Sequence, residues 1–156
     1  MKTDRLDIRE IAEADLPALG ALYQHLIPGD DAPAPAEAAE ILRRFRAYPG
    51  SAILGGWRYA RLVASCTLVV VPNLTRGGTA YGLVENVVTH SAHRGQGYGR
   101  AMLDRATERA WAAGCYKLML MTGSRHPATL AFYEASGFEQ SKTGFQKRRI
   151  PKRPEP

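Results

Sequence analysis

Cysteine is scarce in this chain of 156 residues, which has only Cys66 and Cys115, without a CxxC pair or a paired histidine spacing. That argues against a zinc module or a disulfide framework and suits a reducing compartment, with both thiols acting as buried apolar side chains. Long apolar runs are missing too. The longest, at residues 68–71 and 118–121, fall far short of the ~20 residues that cross a bilayer, so no membrane partner is expected. The opening MKTDRLDIRE alternates charge with apolar residues and lacks the apolar core of a secretory leader, so a soluble, cytoplasmic protein is expected.

Acidic charge is nearly absent from the end of the chain. Residues 142–156 carry six Lys and Arg against Glu155 alone, which accounts for most of the net charge of +6 and leaves the body almost neutral. Three prolines and no interleaved aromatics follow Gln146, so the segment reads as a solvated terminus and a nucleic-acid partner is disfavoured. With 45% hydrophobic and 23% charged residues, the expectation is one globular domain over residues 1–147 and a basic, proline-rich tail over 148–156.

Hydrophobic spacing orders the elements. Leu6, Ile8 and Ile11 lie in a short extended run. Asp15 offers a helix N-cap with Pro17 in the first turn, and Leu16, Leu19, Leu22, Tyr23 and Leu26 then repeat at helical spacing. PGDDAPAP at 28–35 is a loop, and Ala38, Ile41, Leu42 and Phe45 mark one face of a second helix. Residues 52–57, 62–71 and 81–89 read as an antiparallel meander. A helix over about 97–113, a short buried strand at 117–121, a helix with Pro127 at its first position and a last strand around 138–149 complete the pattern.

Chemistry concentrates in VVTHSAHRGQGYGR at 87–100, where an apolar strand enters a glycine-rich turn that opens a helix. Such a turn aims unpaired backbone N–H groups and the positive helix end at one spot, which suits phosphate, and Arg94 and Arg100 add positive charge. A tight turn alone would also explain the glycines. The Rossmann fingerprint fails because its third glycine position is Arg100, and the P-loop pattern is absent.

Arg94-x-x-Gly97-x-Gly99 after an apolar strand resembles the acyl-CoA pyrophosphate motif of the GNAT family of N-acetyltransferases. Ile8-Arg9-Glu10 through Asp15-Leu16 resembles the family's first strand and helix, and Ala131-Phe132-Tyr133-Glu134 with Gly137-Phe138 resembles its second signature. The likeness covers residues 6 to about 147. It implies a GNAT-like α/β (α+β) fold: a mixed, mostly antiparallel, twisted sheet of six to seven strands with about four helices, splayed open to hold acetyl-CoA. The backbone of Val87, Val88 and Thr89 would then pair with the pantetheine arm, and the amides of Gly95, Gln96, Gly97, Tyr98, Gly99 and Arg100 would hold the pyrophosphate. His126 stands where the family often has asparagine, as a helix cap or a cofactor contact.

Acetyl transfer to an amine needs a proton acceptor for the ammonium and a proton donor for the departing thiolate. Glu85 and Tyr133 are the candidates. Glu85 belongs to a Glu-Asn pair that is unusual within an apolar strand, and many relatives carry a glutamate there. Tyr133 matches the family tyrosine that faces the cofactor sulfur, although packing beside Phe132 would also account for it. Asp30 and Asp31 fall in the loop that borders the acceptor cleft in this family, where they would favour a cationic acceptor; a solvated turn explains them equally. His90 and His93 lack further ligands in sequence, so no metal is expected, and His25 reads as a surface side chain on the first helix.

The function implied is N-acetyl transfer from acetyl-CoA to a primary amine, by direct transfer in a ternary complex and to a small molecule rather than a protein. Acylation of a protein N-terminus or lysine and a non-catalytic acyl-CoA sensor are the alternatives. Homodimerisation is a further expectation, since family members often dimerise.

Overall fold

The computed structural model describes residues 5–152. The leader reading at residues 1–4 and the end of the tail at 153–156 lie outside the described residues. Two compact units divide at Leu120 and Met121.

The first unit is built on one five-stranded sheet in sequence order. Strands β1 (Asp7–Glu10), β2 (Ala52–Arg58), β3 (Arg61–Val71) and β4 (Tyr81–Thr89) pair antiparallel, and β5 (Leu118–Leu120) joins β4 in parallel. Helices α1 (Leu16–Tyr23) and α2 (Pro35–Arg46) follow β1, and α3 (Tyr98–Ala112) makes the crossover from β4 to β5. A parallel pair requires such a crossover, because a tight turn reverses the chain.

Helix α3 forms because Met102, Leu103, Ala106 and Ala110 recur at helical spacing, and all four are fully buried. Each large apolar side chain buried this way contributes about 1.5–3 kcal/mol. Gly114, at φ +79°, reverses the chain after the helix, and its amide donates to the Trp111 carbonyl at 3.0 Å. A second cluster joins Ile11, Leu19 and Trp57, with Leu16, Tyr23, Ile53 and Leu62 packed against it. Gly55 is required beside this cluster: a Cβ there would lie 2.5 Å from the Trp57 ring and 2.7 Å from Ile11 Cδ1. Both cysteines are buried, and burial pushes the Cys66 thiol up to about 12, so neither is a ready nucleophile.

Asp15 stands at the start of α1 without capping it through its side chain. Its carboxylate instead accepts the Ala12 amide at 2.7 Å and a forked pair of bonds from Arg9 at 2.7 and 3.0 Å, and the guanidinium holds it below the usual carboxylate range. The expected apolar face of α2 is narrower than its spacing implies, since Leu42 is buried whereas Ile41 is exposed.

The second unit, from Met121 on, contains helix α4 (Pro127–Ala135). The strand expected around 138–149 does not form, so the described residues hold five strands rather than six or seven. That segment is mostly polar and basic, lacks the apolar alternation of a strand, and leaves Phe145 92% exposed. The four helices and the mixed, mostly antiparallel sheet agree with the expected class.

Candidate active site

Strand β4 changes direction at Glu85 and Asn86. Thr67 of β3 pairs with Glu85 and Ser65 with Val88, so Asn86 and Val87 together oppose Cys66 alone. That is a β-bulge. Asn86 adopts φ +52°, a left-handed conformation that asparagine tolerates better than most side chains. The bulge begins just past Val84, the last β4 residue paired with β5, opposite Leu120. Parallel pairing ends there while β4 runs on to Thr89, so among the described residues the β5-side edge of Val87, Val88 and Thr89 has no partner strand. Backbone groups along such an edge are ready to bind an extended ligand. Glu85 is exposed at its start.

The turn after β4 takes its shape from glycine. Gly95 and Gly97 hold φ +73° and +78°, and a Cβ on either would meet nothing within 4 Å, so backbone conformation and open space for a ligand, rather than protein packing, account for both. In α3 the first helical bond runs from the Ala101 amide to the Gly97 carbonyl at 3.1 Å. The amides of Tyr98, Gly99 and Arg100 therefore point out of the helix end, where the dipole is positive. Arg100 sits 4.0 Å from Asp104 along the exposed side of the helix.

Arg94 also ties two segments of the chain together. Its guanidinium donates to the carbonyls of Thr89 at 3.3 Å and His25 at 3.0 Å, tying the end of β4 to the segment after α1. His25 accordingly lies beyond the end of α1 and is not simply a surface residue. Its Nδ1 accepts the Ser91 amide at 3.3 Å, and its ring lies 3.9 Å from that of His90. His90 Nδ1 accepts the Ala92 amide at 3.1 Å, and the His93 ring stands 5.5 Å from His90. Desolvation, with added repulsion from His25, His93, Arg61 and Arg94, lowers the His90 pKa. Among the described residues no three His, Cys, Asp or Glu side chains are grouped to hold a metal ion. The triple-histidine contact was missed in sequence because His25 lies more than sixty positions from its partners.

Asp30 and Asp31 follow this tethered segment. The Asp30 amide donates to the Ile27 carbonyl at 3.1 Å, while Gln24 spans the turn through the Asp30 carbonyl and the Gly29 amide, both at 3.0 Å.

In the second unit His126 caps α4, its Nδ1 accepting the Ala128 amide at 3.2 Å. Tyr133 packs between Phe132 and Phe138, with ring centroids 5.1 and 6.3 Å away. Burial raises its pKa above the ordinary tyrosine value, so the phenol keeps its proton throughout the neutral range.

Strand β4 thus leads, along an edge unpaired among the described residues with Glu85 at its start, to the glycine-hinged end of α3. The acetyltransferase (GNAT) family matches residues 11–138. A glucosamine 6-phosphate N-acetyltransferase of Trypanosoma brucei brucei is 34% identical over 137 residues, which cover 85% of this chain and 88% of that protein. A solved structure assigned as an acetyltransferase of Agrobacterium tumefaciens is 46% identical, with a TM-score of 0.86 over 92% of this chain and 99% of that one. An acetyltransferase structure from Trypanosoma brucei is 30% identical, with a TM-score of 0.82 and the same coverage. The chain belongs to the GNAT family of acetyltransferases.

Proposed function

We propose that this enzyme moves the acetyl group of acetyl-CoA to the primary amine of a small molecule, by direct transfer within a ternary complex, and that one domain over residues 1–147 carries the activity. The observation that carries the reading is the β4 bulge, which sets Glu85 at the start of an unpaired strand edge leading directly to the glycine turn of α3. The pantetheine arm extends along Val87, Val88 and Thr89 by backbone hydrogen bonds. The diphosphate is held by the amides of Gly95, Gln96, Gly97, Tyr98, Gly99 and Arg100, and Arg94 keeps the turn in place from beneath.

Glu85 accepts a proton from the acceptor's ammonium, directly or through water, because only the neutral amine is a nucleophile. The amine nitrogen then bonds to the acetyl carbon, and an N–H group of the bulged strand near Val87 or Val88 meets the developing negative charge on oxygen. As the carbon–sulfur bond breaks, Tyr133 protonates the departing thiolate, and the second proton leaving the amine nitrogen returns through solvent to restore the phenol. No covalent enzyme intermediate is required. His126 serves as the α4 cap.

The trypanosomal relative's name makes glucosamine 6-phosphate the first acceptor to test. The deciding experiment measures acetyl-CoA-dependent thiol release with that amino sugar phosphate, a dicationic amine, a neutral amine and a lysine-containing peptide. Turnover with a small amine and not with the peptide supports the reading; release with the peptide alone moves the assignment to protein acetylation, and binding of acetyl-CoA without turnover moves it to a sensor.

A further inference from the structure

Arg58 ends β2, yet its guanidinium reaches the opening turn of α3. Its Nη1 donates to Gln96 Oε1 at 2.7 Å and also to the Tyr98 hydroxyl. The same cation lies over two aromatic rings, 5.2 Å from the Tyr59 centroid and 5.9 Å from that of Tyr98. Tyr98 is buried, so one end of this contact is anchored in the core, whereas Gln96 is exposed within the glycine turn.

The hairpin that delivers Arg58 is strained. Tyr59 and Ala60, the two residues between β2 and β3, both take positive φ, +46° and +62°, where Asn-Gly or Gly-Gly would be comfortable. Tyr59 is 80% exposed, so core packing does not explain it. What it supplies is a ring over Arg58. The first turn of α3, which Arg58 reaches through Gln96 and Tyr98, contains no acidic residue. The positive end of the helix dipole at that turn favours an anion.

We infer that Arg58, held by Tyr59 and Tyr98, is a positioning residue for the diphosphate of the acyl donor: it fixes Gln96 and the first turn of α3 so that their amides converge. The inference rests on the acetyl-CoA reading above. It makes the β2–β3 hairpin a determinant of donor recognition, although the hairpin lies outside the glycine motif.

The test compares acetyl-CoA with acetyl-pantetheine, which lacks the diphosphate and nucleotide, as donors to one amine. The wild-type protein prefers acetyl-CoA in kcat/KM. Arg58→Ala cuts that preference about ten-fold by raising the KM for acetyl-CoA, and Arg58→Lys recovers part of it. Gln96→Ala, at an exposed position, lowers the same ratio and serves if Arg58→Ala fails to fold. A preference unchanged in both variants, or an equal fall with both donors, overturns the inference and leaves Arg58 as a structural contact. A wild-type protein indifferent to the diphosphate defeats the donor reading itself, and the inference with it.

Discussion

The Arg94 guanidinium donates to the carbonyl oxygen of His25 at 3.0 Å, across a sequence separation of 69 residues. Its second bond, to Thr89 O, makes the motif arginine a clasp between two loops and the end of β4.

Removing that clasp loosens the segment that leads to Asp30 and Asp31. Arg94→Ala is expected to lower stability by about 1.5–3 kcal/mol, the range for hydrogen bonds made by a charged donor, and to speed amide exchange between Leu26 and Asp31. Arg94→Lys recovers little, because one ammonium cannot reproduce the fork. Unchanged exchange in the alanine variant would show that the loop is held by the histidine contacts alone.

His90 makes the same junction sensitive to acid. A histidine whose folded pKa lies below its unfolded value binds protons more readily when unfolded, so its stabilising effect is present above about pH 6.5 and is lost as pH falls below that. Protonating Nδ1 also removes the acceptor for the Ala92 amide. His90→Asn keeps a capping oxygen without a titrating group, so its melting temperature should fall less than the wild type's between pH 7.5 and 5.5. Parallel curves would assign the acid sensitivity elsewhere.

Tyr133→Phe keeps the ring packing against Phe132 and Phe138 and removes only the hydroxyl. If the phenol protonates the departing thiolate, kcat falls by about 10²-fold or more while the Kd for acetyl-CoA stays within a factor of two or so. Equal turnover in the two proteins returns Tyr133 to a packing role.

Glu85→Gln is expected to slow the reaction most at low pH. An alkylammonium with a pKa of about 10 leaves little free amine there, so a base contributes most, and raising the pH partly restores the rate. A pH–rate profile parallel to that of the wild type removes Glu85 as proton acceptor.

Much of this arrangement is legible in the sequence because it depends on local signals. The glycines at 95 and 97, the apolar stripe of α3 and the apolar, aromatic-rich runs of β2 to β4 each act over a few residues, and the elements form where those signals place them. The bulge was less visible: Asn86 is its one trace, and register depends on pairing with β3. His25 and Arg58 were invisible for a different reason, since their partners at His90, Arg94, Gln96 and Tyr98 are brought to them only by the folded sheet. The strand expected at 138–149 failed because two aromatics among polar and basic residues cannot bury enough apolar surface to order a ladder.

Asp30 and Asp31 give a test of the acceptor's charge. Gln24 fixes the turn that presents them, through the Gly29 amide and the Asp30 carbonyl, and Arg94 fixes the segment before it. If this loop borders the acceptor, the two carboxylates attract a multiply charged cation and repel the phosphate of glucosamine 6-phosphate, so changing both to Asn should move selectivity toward the sugar phosphate. The kcat/KM ratio of a dicationic amine to glucosamine 6-phosphate is expected to fall several-fold in the double variant, through KM and with the KM for acetyl-CoA unchanged. Adding salt should shrink the wild-type ratio in the same direction, because exposed charges are screened within about 8–10 Å at 0.1–0.15 M ionic strength. A ratio that is the same in both proteins and at both salt concentrations would leave Asp30 and Asp31 as turn residues, favoured there for bonding their own backbone.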